Sequence, residues 1–329
     1  MSATEPLPVN DQTPEFQDEI LLLHQGLLAE RKWISSIYFY DTEGSRLFER
    51  ITEQPEYYLT RTELEIMRRR GDEIASTIGR EAMVIEPGSG AGEKVGLLLR
   101  MLRRPVAYVP VEISRNHLEA SARVLAREFP AVEVLPVWAD FTRPLDLPQP
   151  LRPPARRVVY FPGSTLGNFE PEGAVSLLRN FATMLGAGGT VLIGVDLAKN
   201  APVLEAAYND AAGVTAAFNR NMLTHLNRRF DANFDLMGFE HLAFYNEAEG
   251  RIEMHLRSLR DQIVDIAGAR VNFVSGETIH TESSYKYTDA RFAALVARAG
   301  FRLEKTWKDP AGLFSIRYLI LEPGYEITV

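Results

Sequence analysis

The residues best suited to chemistry begin with a glycine loop. Glu86-Pro-Gly-Ser-Gly-Ala-Gly92 follows the apolar run Met83-Val-Ile. Glycines there let a ligand approach the backbone closely, and the start of a following helix offers unbonded N–H groups. In the dinucleotide fingerprint G-x-G-x-x-G the third glycine would fall at position 93, which is Glu93. The pattern is instead acid-x-G-x-G-x-G. Glu112 stands 24 residues after Gly88, where a carboxylate can accept from both hydroxyls of a ribose. Asp140 can accept from an adenine amino group, and the ring of Phe141 can stack on the base. Alone, such a loop is as readily a tight turn; the two acids at the ends of successive strands favour a nucleoside. Asn168, which closes Phe161-Pro-Gly-Ser-Thr-Leu-Gly-Asn168, offers an amide donor and acceptor, or else caps the helix after Phe169.

These residues need a scaffold, and the periodicity supplies one. Leu21, Leu22, Leu23, Leu27 and Leu28 open a helical pattern after a flexible lead-in over residues 1–15. Thr60-Arg-Thr-Glu63 has the spacing of a capping box and predicts a helix from there to about Ser76. Strands are expected at Met83–Glu86, Val106–Val111, Val132–Val137, Arg157–Phe161 and Thr190–Asp196, with helices at Lys94–Leu102, Asn116–Glu128 and Ala174–Leu185 between them. This alternation implies a parallel sheet covered by helices on both faces. Ligands of such sheets bind beyond the carboxyl ends of the strands, where Gly88, Glu112, Asp140 and Asn168 all fall. Regularity then breaks over 197–285, with one helix expected from about Val203 to Arg229 and a strand at Arg251–Leu256. A helix at Ala290–Ala299 and a hairpin of Phe301–Trp307 with Ser315–Leu321 close the chain.

Composition narrows the function classes. With 329 residues, 46% hydrophobic and 24% charged, the chain can bury a sizeable core, and its length suggests two domains. A net charge of −8 argues against a nucleic-acid partner, which needs clustered positive charge. The absence of cysteine removes disulfides, thiolate metal sites and cysteine nucleophiles. Met1 to Phe16 is polar and acidic, no apolar run reaches 18 residues, and a cytoplasmic protein off the membrane is expected. The six histidines show no ligand spacing such as H-E-x-x-H, so none is expected to hold a metal. Gly-x-Ser-x-Gly and Walker patterns are missing too, which lowers the standing of hydrolase and NTPase readings.

The acid-x-G-x-G-x-G loop resembles the first motif of class I S-adenosylmethionine (SAM) methyltransferases, in which negative charge near a sulfonium is sensible. A wider resemblance runs in order from about Tyr38 to Tyr318. Tyr38-Phe-Tyr40-Asp41, Gly44-Ser-Arg-Leu-Phe48, Pro55-Glu-Tyr57-Tyr58, Gly163 to Asn168, Ala207 to Asn221, Arg251-Ile-Glu-Met254 and Thr281-Glu282-Ser-Ser284-Tyr-Lys286 together resemble the histidine Nα-methyltransferase family of ergothioneine biosynthesis. The resemblance implies a Rossmann-like, doubly wound SAM domain over 62–196 and 286–329. A substrate domain would take residues 16–61 and 197–285. SAM contacts would fall on Gly88, Lys94, Glu112, Asp140 and Phe141. Asn168 and Tyr208 would hold the substrate carboxylate, and Tyr57, Glu282 and Ser284 the imidazole. Tyr40 and Thr215 would lie near the α-amino group, with Met254 lining the imidazole pocket. Glu112 stands where members carry Asp, and His255 where some have Trp.

The implied activity is SAM-dependent conversion of free L-histidine to its Nα,Nα,Nα-trimethyl betaine, hercynine, by a monomer without a metal. Two other readings compete: Nα-methylation of another aromatic amino acid, such as a tryptophan derivative, and a SAM-binding protein without turnover. The polar pair Glu282 and Ser284 argues against the first, and the Tyr, Asn and Glu set would be idle in the second.

Overall fold

In a computed structural model of the chain, residues 7–12, 16–90 and 92–325 are described. The chain divides into two compact units, one of Met1–Thr13, Arg61–Leu197 and Tyr287–Val329, the other of Pro14–Thr60 and Ala198–Lys286.

The chain opens with β1 (Asn10–Gln12), α1 (Phe16–Leu27), α2 (Thr42–Thr52) and α3 (Tyr58–Ile78). Then come β2 (Ala82–Pro87), α4 (Glu93–Met101), β3 (Ala107–Glu112), α5 (Arg115–Glu128), β4 (Glu133–Val134) and β5 (Val137–Ala139). β6 (Arg156–Phe161), α6 (Pro171–Leu185) and β7 (Thr190–Asp196) follow. The second unit continues with α7 (Ala201–Tyr208), α8 (Val214–Phe230), β8 (Phe239–Asn246), β9 (Arg251–Ser258), β10 (Gln262–Ile266), β11 (Ala269–Phe273) and β12 (Thr278–Tyr285). The first unit resumes as α9 (Asp289–Ala297), β13 (Phe301–Lys308) and β14 (Phe314–Leu321).

The sheet of the first unit runs β1-β5-β3-β2-β6-β7-β14-β13, with β4 beside β3. It is parallel through β7, and the β13–β14 hairpin joins antiparallel to β7. Every residue of β2 and β7 is buried, as an apolar run sandwiched between helices must be. Strand order reverses between β2 and β6, so the crevice at their carboxyl ends is where a ligand fits. The glycine loop leaves β2 and the Pro162-Gly163 turn leaves β6 at that point. In the second unit β8, β9 and β12 form an antiparallel sheet, and β10 and β11 a separate hairpin.

Several local expectations are corrected. Thr60 does not cap a helix, because α3 is already helical from Tyr58, and the Glu63 side chain turns away to other partners. The strand expected at Val132–Val137 is split around Leu135-Pro136, since proline has no N–H for the ladder. The long helix expected from Val203 to Arg229 is two. Gly213 sits at φ +69°, and the Asp210 carboxylate accepts from the amides of Val214 and Thr215 at 2.7 Å each, starting α8 anew. Of the lead-in, residues 1–6 and 13–15 lie outside the described residues, but Asn10–Gln12 form an edge strand parallel to β5. Among the described residues no helix is long and apolar enough to cross a membrane.

Candidate active site

The donor half of the site is built at the end of β2. Gly88, Gly90 and Gly92 all have positive φ, a region that side-chain-bearing residues avoid. The Gly88 amide donates to the Val111 carbonyl at 2.8 Å, tying the loop to the next strand. A Cβ at Gly88 would come within 3.3 Å of the Phe141 ring, so that ring lies over the turn. Phe141 in turn meets Phe161 edge-on, with centroids 5.9 Å apart. Glu112 ends β3, and its Oε1 accepts from the amides of Ile113 and Ser114 at 2.9 and 3.2 Å. Asp140 makes a similar local turn, its Oδ1 accepting from the Thr142 amide and hydroxyl at 2.9 and 2.7 Å. Both carboxylates are thereby held at strand ends. Backbone cradle, two fixed acids and a ring over the loop are a donor set that fits the nucleoside and aminoacyl parts of SAM.

Glu86 departs from expectation. It is buried, and loss of water pushes its carboxyl up to about 8, with the hydrogen bond from the Tyr108 hydroxyl at 2.5 Å opposing that rise. Its bond with Tyr108 ties β2 to β3, and burial makes it harder to ionise than an exposed carboxyl.

Lys94 has a partner that spacing did not indicate. Its Nζ lies 2.7 Å from Glu63 Oε2, and Glu63, 1% exposed, also accepts from the Gly163 amide at 3.0 Å. A Cβ at Gly194 would sit 2.2 Å from Glu63 Oε1, so the neighbouring strand must present glycine there. Glu63 therefore fixes both Lys94 and the turn after β6. Asn168 ends a short 3-10 turn, Thr165–Asn168, beyond β6. It does not cap α6, whose preceding residue is Glu170.

The second unit holds the remaining residues in two groups. In the first, the Tyr208 hydroxyl donates to Ser284 Oγ at 2.7 Å, and the buried Lys286 ammonium donates to Ser284 Oγ at 2.8 Å and to the Tyr208 oxygen at 3.1 Å. The Lys286 Nζ also lies 4.9 Å from the Tyr208 ring centroid. Glu282 pairs across the strands with Met254. Burial pushes the Glu282 carboxyl up to about 7, with the charge of Lys286 working against the rise. In the second group Tyr40 and Tyr57 flank Phe48, with centroids 6.1 and 6.3 Å away, and Tyr40 also meets Phe218 at 6.0 Å. Thr215 lies one turn before Phe218 on α8, its amide held by Asp210.

Lys286, Glu63, Phe48 and Phe218 are not among the site residues expected from the sequence. Lys286 carried one usable signal, since it follows Ser284 by two residues and so shares its strand face. Glu63 carried a misleading one.

The family model described as "Histidine-specific methyltransferase, SAM-dependent" matches residues 17–320. The histidine N-alpha-methyltransferase of Mycolicibacterium smegmatis is 41% identical over 300 residues, covering 88% of this chain and 91% of that protein. That of Mycobacterium tuberculosis is 40% identical, covering 89% and 92%. Ergothioneine biosynthesis protein 1 of Neurospora crassa is 31% identical over 83% of this chain and 32% of its own length. The chain belongs to the SAM-dependent, histidine-specific methyltransferase family.

Proposed function

We propose that this enzyme transfers three methyl groups in succession from SAM to the α-nitrogen of free L-histidine, giving the trimethyl betaine hercynine of ergothioneine biosynthesis. The observation that carries this is Glu282, whose carboxyl, raised by loss of water, shares one face of the sheet with Ser284 and Met254. A carboxyl kept from water gains from a polar ligand, and an imidazole N–H is one that it can bind. Ser284 and Tyr57 complete the imidazole's surroundings. Tyr208, whose hydroxyl is oriented by Lys286, binds the carboxylate.

The donor side is assigned to Gly88, Lys94, Glu112, Asp140 and Phe141, with Lys94 pinned by Glu63 for the donor's own carboxylate. Bound SAM supplies a methyl group on a positively charged sulfur, already an excellent leaving arrangement. The protein's contribution is then orientation. The α-amine must shed a proton before each transfer, because an ammonium has no lone pair to attack with. Each methyl removes an N–H donor, so the nitrogen cannot be held by fixed hydrogen bonds. Tyr40 offers an aromatic face to the growing cation instead, with Thr215 beside it. Quaternisation ends the series, because no lone pair is left.

The test is mass spectrometry of the enzyme with SAM and an equimolar pool of free amino acids. Histidine alone should gain three methyl groups. Methylation of tryptophan or tyrosine in preference would overturn the specificity, and no transfer at all would leave a SAM-binding protein.

A further inference from the structure

A fully buried asparagine inside a helix needs a reason, because its amide costs free energy away from water unless its groups are bonded. Asn219, in α8, is 0% exposed. Its Nδ2 donates to the His255 carbonyl at 3.0 Å and to His241 Nδ1 at 2.9 Å. Its Oδ1 accepts from the Thr281 hydroxyl at 2.8 Å. A carbonyl only accepts, so His255 fixes which end of the amide faces β9. His241 Nδ1 then carries the lone pair, and the ring hydrogen sits on Nε2, which donates to the Tyr208 carbonyl at 3.0 Å. Burial lowers the His241 pKa and so favours the neutral ring that this arrangement needs.

The bond to Thr281 falls where β12 changes register. His280 pairs with His255 and Glu282 with Met254, so Thr281 is the extra residue of a bulge. Side chains alternate along a strand, and residues paired across strands share a face. Without the bulge, Thr281 would pair with Met254, and Glu282 would pair with Glu253 on the opposite face. With it, Glu282 and Ser284 stand opposite Met254 and Ile252, on the face that His241 shares through its pairing with Leu256. The Thr281 hydroxyl also lies 3.1 Å from the Met254 carbonyl. Asn219 and Thr281 therefore engage the successive carbonyls of His255 and Met254, at the step where the bulge interrupts the ladder.

We propose that Asn219 is a positioning residue for the amino acid: with Thr281 it locks the bulge that turns Glu282 onto the binding face, and through His241 it holds the backbone of Tyr208. This role presupposes that Glu282 binds the imidazole, as proposed above. Thr215 stands four residues before Asn219, on the same side of α8, so the anchor also sets the rotation of that helix. The residues assigned to the imidazole, the carboxylate and the α-amine are thus referred to one buried amide. Bulges commonly re-aim a side chain beside an active site, and here the re-aimed side chain is the one that reads the substrate.

The experiment is steady-state kinetics on Asn219→Leu and on Thr281→Val, which keeps the β-branched shape and removes the hydroxyl. Each should lower kcat/KM for histidine by about tenfold or more, the scale of loss when a binding group is slightly misplaced, with calorimetric SAM affinity kept within about twofold. Thr281→Ser, which keeps the hydroxyl, should restore the unaltered value. In a Glu282→Ala background Thr281→Val should cost nothing further, because its effect passes through Glu282. Unchanged kcat/KM in Thr281→Val or in a folded Asn219→Leu, or a Thr281→Val loss that multiplies that of Glu282→Ala, would overturn the positioning role. Should Asn219→Leu fail to fold, Thr281→Val and its combination with Glu282→Ala still decide. Histidine kinetics unchanged by Glu282→Ala alone would remove both the imidazole assignment and the role built on it.

Discussion

Glu282 lies in β12 and Lys286 four residues on, just past the strand's end, where its charge acts on the carboxyl. Burial raises the carboxyl to about 7 and the ammonium holds it from rising further. Glu282→Ala should raise the histidine KM by about a hundredfold, the scale on which a site built for a polar group rejects a partner that leaves it unpaired. Calorimetric SAM affinity should stay within about twofold, and parallel losses of both would move Glu282 out of the imidazole site. Lys286→Met removes the opposing charge, so Glu282 should ionise at higher pH. The acidic limb of kcat/KM for histidine should then shift upward in pH; a limb that stays in place would show that Lys286 does not act through Glu282. The glycine loop, Glu112 and Asp140 were legible because their spacing follows the strand ends. Lys286 and Glu63 were not, because a buried ion pair or ammonium depends on partners distant in sequence.

At the scale of elements, the parallel strands could be read nearly residue by residue, since continuous apolar runs between amphipathic helices leave few alternatives. The errors arose where one local signal had two uses. Thr60 and Glu63 have capping-box spacing, yet Glu63 faces inward from the second turn of α3 to Lys94 and Gly163. Asn209-Asp-Ala-Ala-Gly213 was passed over inside an apparently continuous helix, though an acid three residues before a glycine is a stop and a restart. Glu63→Gln should weaken SAM binding by about tenfold, a loss of about 1.4 kcal/mol, by freeing Lys94. Titration calorimetry reads this directly, and an unchanged Kd would separate the pair from the donor site. Asp210→Ala should lower stability by about 1–2 kcal/mol through loss of both contacts at the start of α8. Urea denaturation measures that, and a change within error would mean that water replaces the cap.

For the whole molecule, the carboxyls of Glu86 and Glu282 tie stability to pH. Both are raised in the fold, to about 8 and about 7, so between about 4.5 and those values the unfolded chain binds fewer protons than the native one. Stability from these groups is therefore full in acid and falls as pH rises through that window. For Glu86 the fall is on the order of 3–5 kcal/mol. Glu86→Gln keeps an acceptor for Tyr108 and should flatten the decline between pH 5 and 8 in denaturation experiments; an unchanged slope would show that Glu86 is ionised in the fold. Beyond stability, the product of the proposed reaction is the direct readout. Incubation with ¹³C-methyl SAM and L-histidine, followed by NMR of the product, should give one resonance of nine equivalent protons on the α-nitrogen and none on the ring. Label on an imidazole nitrogen, or a series that stops at one methyl, would contradict Nα-trimethylation.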